Sequence, residues 1–119
     1  LARVALESLA CKYRVTLESL EKILGYRLEA IHIVGGGSLN TYLNQATADA
    51  SGREVLAGPV EATAMGNLLV QAIAAGSISS LAAGRRLVAE SHPPIWFEPR
   101  DPRRWEHPAA TYRAISGCR

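Results

Sequence analysis

The stretch that most constrains this chain runs from residue 30 to residue 58, AIHIVGGGSLNTYLNQATADASGREVLAG. A short β-branched run, AIHIV at 30–34, passes through three glycines into a helical pattern and then into a second short apolar run, REVLAG at 53–58. That order predicts a strand, a helical crossover and a second strand. Such crossovers are right-handed and make the two strands parallel neighbours. Two parallel strands do not form a stable sheet alone; they need both faces covered and partners on their flanks. Residues 30–34 are accordingly expected to be a buried strand, with further strands upstream. The chain also starts at Leu1 inside a helical pattern and not at Met, so it is read as a piece of a longer polypeptide.

The flanks fit the same α/β class. Leu6, Leu9, Tyr13, Leu17, Leu20 and Leu24 recur at spacings of three or four and predict a helix over 2–24 with one apolar stripe. Glu18 and Lys22 are placed for an i,i+4 pair, and Gly25 is the expected stop. Ser38 is read as the cap of a helix to about Ala50, closed by Gly52. After Pro59, a helix over about 60–75 turns Met65, Leu68, Leu69, Ala72 and Ile73 inward and stops at Gly76. Ser79 or Ser80 caps a further helix to about Ser91. HPPIWFEPRDP at 92–102 is broken by prolines and read as extended, with Ile95, Trp96 and Phe97 as an apolar anchor. A short helix covers about 103–115. The expected order is helix, strand, helix, strand, helix, helix, extended tail, short helix.

Composition excludes several classes. Thirteen basic residues face eleven acidic ones, and the short arginine pieces (Arg85–Arg86 and Arg100 to Arg104) carry no interleaved aromatics, so no nucleic-acid partner is expected. No apolar stretch reaches the length of a membrane span. The two cysteines, Cys11 and Cys118, form no CxxC pair and no Cys/His cluster, so no zinc site is expected and a reducing, cytoplasmic setting fits.

A strand that ends in glycines and opens a helix brings backbone N–H groups and the positive helix end to one place. Without Cβ atoms, a phosphate or ribose can pack directly on that main chain. The spacing here is neither of the two familiar phosphate loops. No Lys-Ser/Thr follows the glycines, and Gly35, Gly36 and Gly37 run into Ser38, Leu39 and Asn40 instead of completing GxGxxG. From spacing alone, a tight strand-to-helix turn and a nucleotide contact are both open.

The ordered neighbours carry more. Gly35–Ser38, Asn40, Gln45, Ala48–Asp49, Gly52, the second strand and Glu61–Ala62 through Gly66 follow in the order seen in the carboxy-terminal lobe of the FGGY carbohydrate kinases, which this chain resembles over most of its length. Gly58–Pro59 ahead of Glu61, and Asn67 after Gly66, are similar to the branch of that family that acts on L-rhamnulose. The resemblance implies part of an actin-like, ribonuclease-H-like ATPase lobe, with residues 1–119 forming the C-terminal portion of the nucleotide-binding lobe. It implies ATP and Mg²⁺ as cofactors and transfer of the γ-phosphoryl group to the 1-hydroxyl of L-rhamnulose. Carried over by position, Gly36 is the main backbone contact to ATP, Gly35 and Gly37 shape the turn, and Asn40 sits where related kinases touch the nucleotide.

Other residues are expected to be structural. Asp49, late in its helix, is read as a surface or turn-forming carboxylate, and Glu61 as a residue of a helix start. His32 is read as a packing residue of the strand, Gly66 as a site of close helix approach, and Trp96, Phe97 and Trp105 as pins for the tail. No residue matches the catalytic base, the metal carboxylate or the phosphate clamp that phosphoryl transfer requires. Those parts, and the sugar pocket, belong to the preceding lobe and strands, so the chain alone is expected to be inactive. A kinase of another sugar or polyol and a non-catalytic structural remnant are the alternatives.

Overall fold

The computed structural model describes residues 1–117, so Cys118 lies outside the described residues. Helix α1 spans Ala2–Leu24, strand β1 Ala30–Ile33, helix α2 Thr41–Ser51 and strand β2 Glu54–Ala57. Helices α3 (Ala62–Ala74) and α4 (Leu81–Ser91) follow, then strand β3 (Ile95–Phe97) and helix α5 (Glu106–Ser116). Two 3₁₀ segments intervene, Gly35–Leu39 before α2 and Pro102–Trp105 before α5.

The predicted crossover is present. β1 and β2 pair in parallel, Ala30 opposite Glu54 through Ile33 opposite Ala57. A third strand lies on the other side of β2: β3 runs antiparallel, with Val55 opposite Phe97 and Ala57 opposite Ile95. The extended tail thus hides a strand. Prolines at 93, 94 and 99 confine it to three residues, short enough to be missed by pattern.

Burial follows the sheet order. β2, flanked on both edges, buries Val55, Leu56 and Ala57. β1 is an edge strand and not the buried strand expected: Ile31 and Ile33 are half-buried, while Ala30 and His32 are exposed. In this chain His32 is exposed and not packed as expected. α2 contacts β2 and β3 on one side and α1 on the other. Ala10, Cys11, Ala46 and Ala50 meet there with Trp105, and Tyr112 packs against them. Small side chains let two helix backbones approach, so the buried residues of α1 are Ala10, Cys11, Val15 and Leu17, while Leu20 and Leu24 of the expected stripe stay 45% exposed.

Side chains tie these layers. Arg53 donates Nη2 to both Glu21 carboxylate oxygens (2.8 and 3.1 Å) and Nε to the Leu28 carbonyl (2.7 Å), joining α1, the approach to β1 and the start of β2. Glu18 does not pair with Lys22 but with Arg14 (3.0 Å) and with Arg113 of α5. Asp49 has the turn-forming role expected, accepting from the backbone N–H of Arg100 at 2.6 Å. Trp105, 8% exposed, pins the tail; Trp96, 58% exposed, and Ile95 do not.

α3 and α4 form a pair packed on each other. No residue of α3 is buried and Leu68 is 65% exposed, but Met65, Leu69, Ala72 and Ile73 of the face expected inward are half-buried, with α4 the main element packed on α3. Their close contact is also not at Gly66, where an added Cβ would stand in open space. It is at Gly84, where a Cβ would come 3.0 Å from Leu69 Cδ2.

Candidate functional site

The carboxyl ends of β1 and β2 lie side by side, and two turns leave them in contact. In open α/β sheets this is where ligands bind. Gly58 donates its N–H to the Ile33 carbonyl (2.8 Å), and Gly35 donates its N–H to the Pro59 carbonyl (3.0 Å). Gly35 (φ 76°) and Gly58 (φ 119°), which precedes a cis peptide bond to Pro59, both take backbone conformations that L side chains rarely adopt. The two turns are thereby knitted to each other.

The triple glycine is not the first turn of an α-helix. It forms a 3₁₀ segment with Val34 as its N-cap. A 3₁₀ helix bonds each N–H to the carbonyl three residues back, so Gly37 is the first residue with an internal acceptor. Gly35 is taken by Pro59. Among the described residues the Gly36 N–H has no backbone acceptor, and Gly36 itself is exposed. A Cβ on Gly36 would meet nothing within 4 Å, whereas one on Gly37 would lie 3.8 Å from Ile33 Cγ2 and one on Gly35 3.9 Å from the Val60 carbonyl oxygen. Gly36 thus presents bare backbone to the outside, and its neighbours hold it there.

Ser38 is not the N-cap of α2. It is buried, and its hydroxyl donates to the Gly35 carbonyl at 2.7 Å. The cap is Asn40, whose Oδ1 accepts from the Leu43 N–H at 3.0 Å. The physical reason is the 3₁₀ segment, which uses Gly35 to Leu39 to complete the turn and delays the α-helix to Thr41. The amide nitrogen of Asn40 makes no hydrogen bond to another described residue.

A cavity of about 290 Å³ opens against this turn, walled by Ser38, Leu39, Pro59, Glu61, Met65 and His92 among others. Gly35, Gly36, Gly37 and Asn40 flank it through Ser38 and Leu39 and do not line it themselves. A second cavity of about 270 Å³, almost wholly apolar, lies between α3 and α4 and shares Met65 and His92 with the first. Each alone falls just under the roughly 300–1,000 Å³ of small-molecule pockets, and together they fall within that range. Met65, Leu68, Leu69 and Ala72 were expected on the inward face of α3 but not as the wall of a cavity, and His92 was not expected there. Glu61, which caps α3 without a side-chain hydrogen bond, is the one carboxylate on the wall of the first cavity. Among the described residues no three His, Cys, Asp or Glu side chains converge as a metal site.

The profile of the FGGY family of carbohydrate kinases, C-terminal domain, matches residues 1–75, and the chain belongs to that family, whose C-terminal domain has the actin-like ATPase fold. Within the family it is similar to proteins named rhamnulokinase. That of Bacteroides thetaiotaomicron is 41% identical over 118 residues, 99% of this chain and 24% of the relative. That of Bacillus subtilis is 47% identical over 94 residues, 79% of this chain and 19% of the relative, and that of Yersinia pestis 42% identical over 101 residues, 85% and 21%. The chain therefore spans about a quarter or less of the length of these relatives.

Proposed function

We propose that this chain works as the C-terminal portion of the nucleotide-binding lobe of a complete kinase that phosphorylates L-rhamnulose on its 1-hydroxyl with ATP. The observation that carries the reading is the exposed Gly36 just past the end of β1, where the main chain has no side chain of its own to keep a ligand away. Gly36 contacts ATP, Gly35 and Gly37 hold the turn open, and the free amide nitrogen of Asn40 reaches the nucleotide. ATP supplies the phosphoryl group, and Mg²⁺ neutralises charge on its phosphates. The described residues do not fit a resident Mg²⁺ site, since Glu61 stands alone on the cavity wall. The metal carboxylates, the catalytic base and the sugar pocket come from the rest of the kinase, so this chain alone does not turn over.

No helix among the described residues is long and apolar enough to cross a membrane. We place the kinase in the cytoplasm, with ATP, the sugar and the rest of its own polypeptide as partners. The test is to assay the complete polypeptide that carries this chain, and the chain alone, with ATP against L-rhamnulose, D-xylulose, L-fuculose and glycerol. ATP-dependent phosphorylation of L-rhamnulose by the complete polypeptide only is the expected result. A preference for another of these substrates would move the protein to a different branch of the family, and no phosphorylation of any would favour a non-catalytic remnant.

A further inference from the structure

We propose that Asn44 is a positioning residue for the nucleotide turn: from inside α2 it fixes, by one side-chain hydrogen bond, the 3₁₀ segment that presents Gly36. The inference rests on the reading of that segment as the ATP loop.

Asn44 is fully buried, at 0% exposure. Its Nδ2 donates to the Ser38 carbonyl at 2.8 Å, six residues back and outside the helix. The other buried polar side chain of α2 behaves differently: the Thr47 hydroxyl bonds back to the Leu43 carbonyl at 2.7 Å, within the helix itself. From Asn44 the connection continues. Ser38 Oγ donates to the Gly35 carbonyl, Gly35 N–H donates to the Pro59 carbonyl, and Gly58 N–H returns to the Ile33 carbonyl. This relay runs from the middle of α2 through the glycine turn to the end of β2. Gly36 is the turn residue it leaves open.

Asn44 Oδ1, by contrast, is buried with no hydrogen-bond partner among the described residues. A buried amide oxygen without a partner destabilises a fold, and an apolar side chain of similar volume removes that cost. An amide at this position is therefore a poor choice for stability, and what it adds is the shape of the turn. Removing it should loosen the backbone at Gly36 more than it harms the fold.

The experiment uses the complete polypeptide carrying this chain and measures separate Michaelis constants for ATP and for the sugar, together with the unfolding temperature. Asn44→Leu is expected to raise the KM for ATP about three- to tenfold, the scale of one net hydrogen bond, with the sugar KM within about twofold. Asn44→Asp should show the same rise at pH 8 and recover towards the unsubstituted enzyme near pH 6. There a buried carboxyl held neutral donates its O–H to the Ser38 carbonyl. Asn44→Leu should show no such recovery. Ser38→Ala, which removes a single hydroxyl from the relay, should raise the ATP KM in the same direction and decides the matter if neither Asn44 variant folds. An unchanged ATP KM, or equal rises in both constants with a lowered unfolding temperature, would overturn the positioning role. Gly36→Ala serves as the reference. If it raises the ATP KM and the relay variants do not, the positioning role alone is wrong; if it has no effect either, the ATP-loop reading falls with it.

Discussion

Substitution of Asn40 separates the two tasks its amide is placed to perform. Its Oδ1 accepts the Leu43 N–H and starts α2; its nitrogen has no partner among the described residues and is the group proposed to reach the nucleotide. Asn40→Ala removes both. Loss of an N-cap costs about 1 kcal/mol within a range of roughly 0.5–2, and for a chain of this length about 1 kcal/mol corresponds to about 4 °C in Tm. Asn40→Asp keeps the acceptor and adds a negative charge at the positive end of α2, which contributes about 0.3–1 kcal/mol. Its stability should equal or exceed that of the original chain. At the nucleotide the aspartate is the worse residue, since it has no N–H to donate and carries a charge of the same sign as the phosphates. Thermal unfolding of the chain followed by circular dichroism, paired with ATP kinetics of the complete polypeptide, reads both effects. Asn40→Ala should lower Tm by about 4 °C, Asn40→Asp should not, and both should raise the KM for ATP by about three- to tenfold. An unchanged Tm in Asn40→Ala would refute the capping geometry. An unchanged ATP KM in Asn40→Asp would reduce Asn40 to a cap and nothing more.

The two tryptophans and the acidic limb of stability give further tests. Trp105→Ala should cost about 3–5 kcal/mol, because the ring fills the cluster of Ala10, Cys11, Ala46 and Ala50, whereas Trp96→Ala should cost under about 1 kcal/mol; denaturant unfolding distinguishes them. Burial pushes the Glu18 carboxyl up, but hydrogen bonds and charges from Arg14 and Arg113 outweigh it and hold its pKa below the ordinary value. A depressed carboxylate stabilises fully above its unfolded pKa of about 4.3, and that stabilisation is lost as pH falls through the lower folded value. The Tm should therefore hold from neutrality to about pH 5 and fall below about pH 4.3. Glu18→Gln should lower the neutral-pH stability by no more than about 1 kcal/mol, and should flatten that acid limb.

Local signals in this chain translated well where they were long or chemically specific. The twenty-three-residue period of α1, the stops at Gly25 and Gly52, the Ser80 cap of α4 and the parallel pairing of β1 with β2 follow from pattern and turn chemistry. What failed was whatever depends on a neighbour. His32 and Leu68 read as inward because their segments are apolar, yet among the described residues β1 lies at the sheet edge and α3 packs mainly on α4. Gly66 and Gly84 look alike in sequence, and only the packing shows that Leu69 lies against Gly84. The site divides the same way. Gly35 to Gly37 and Asn40 enter as site candidates only through the family resemblance, since their spacing alone also left a plain turn open. The exchange of roles between Ser38 and Asn40, and the reach of Asn44, required knowing that the glycines wind as a 3₁₀ segment. The cavity walls from Met65 and His92 come from helices far along the chain that no local spacing connects to the turn.

The most direct measurement is the KM for ATP of the complete polypeptide carrying Gly36→Ala or Gly36→Val. In this chain a Cβ at Gly36 meets nothing within 4 Å, and the residue does not have a positive φ, so neither substitution should disturb its fold. A nucleotide packed on that backbone would meet the new side chain directly. The expected result is an ATP KM raised at least about tenfold, more for Val than for Ala, with the sugar KM and the unfolding temperature unchanged. An ATP KM that stays level in both variants would contradict the assignment of this glycine turn to the nucleotide.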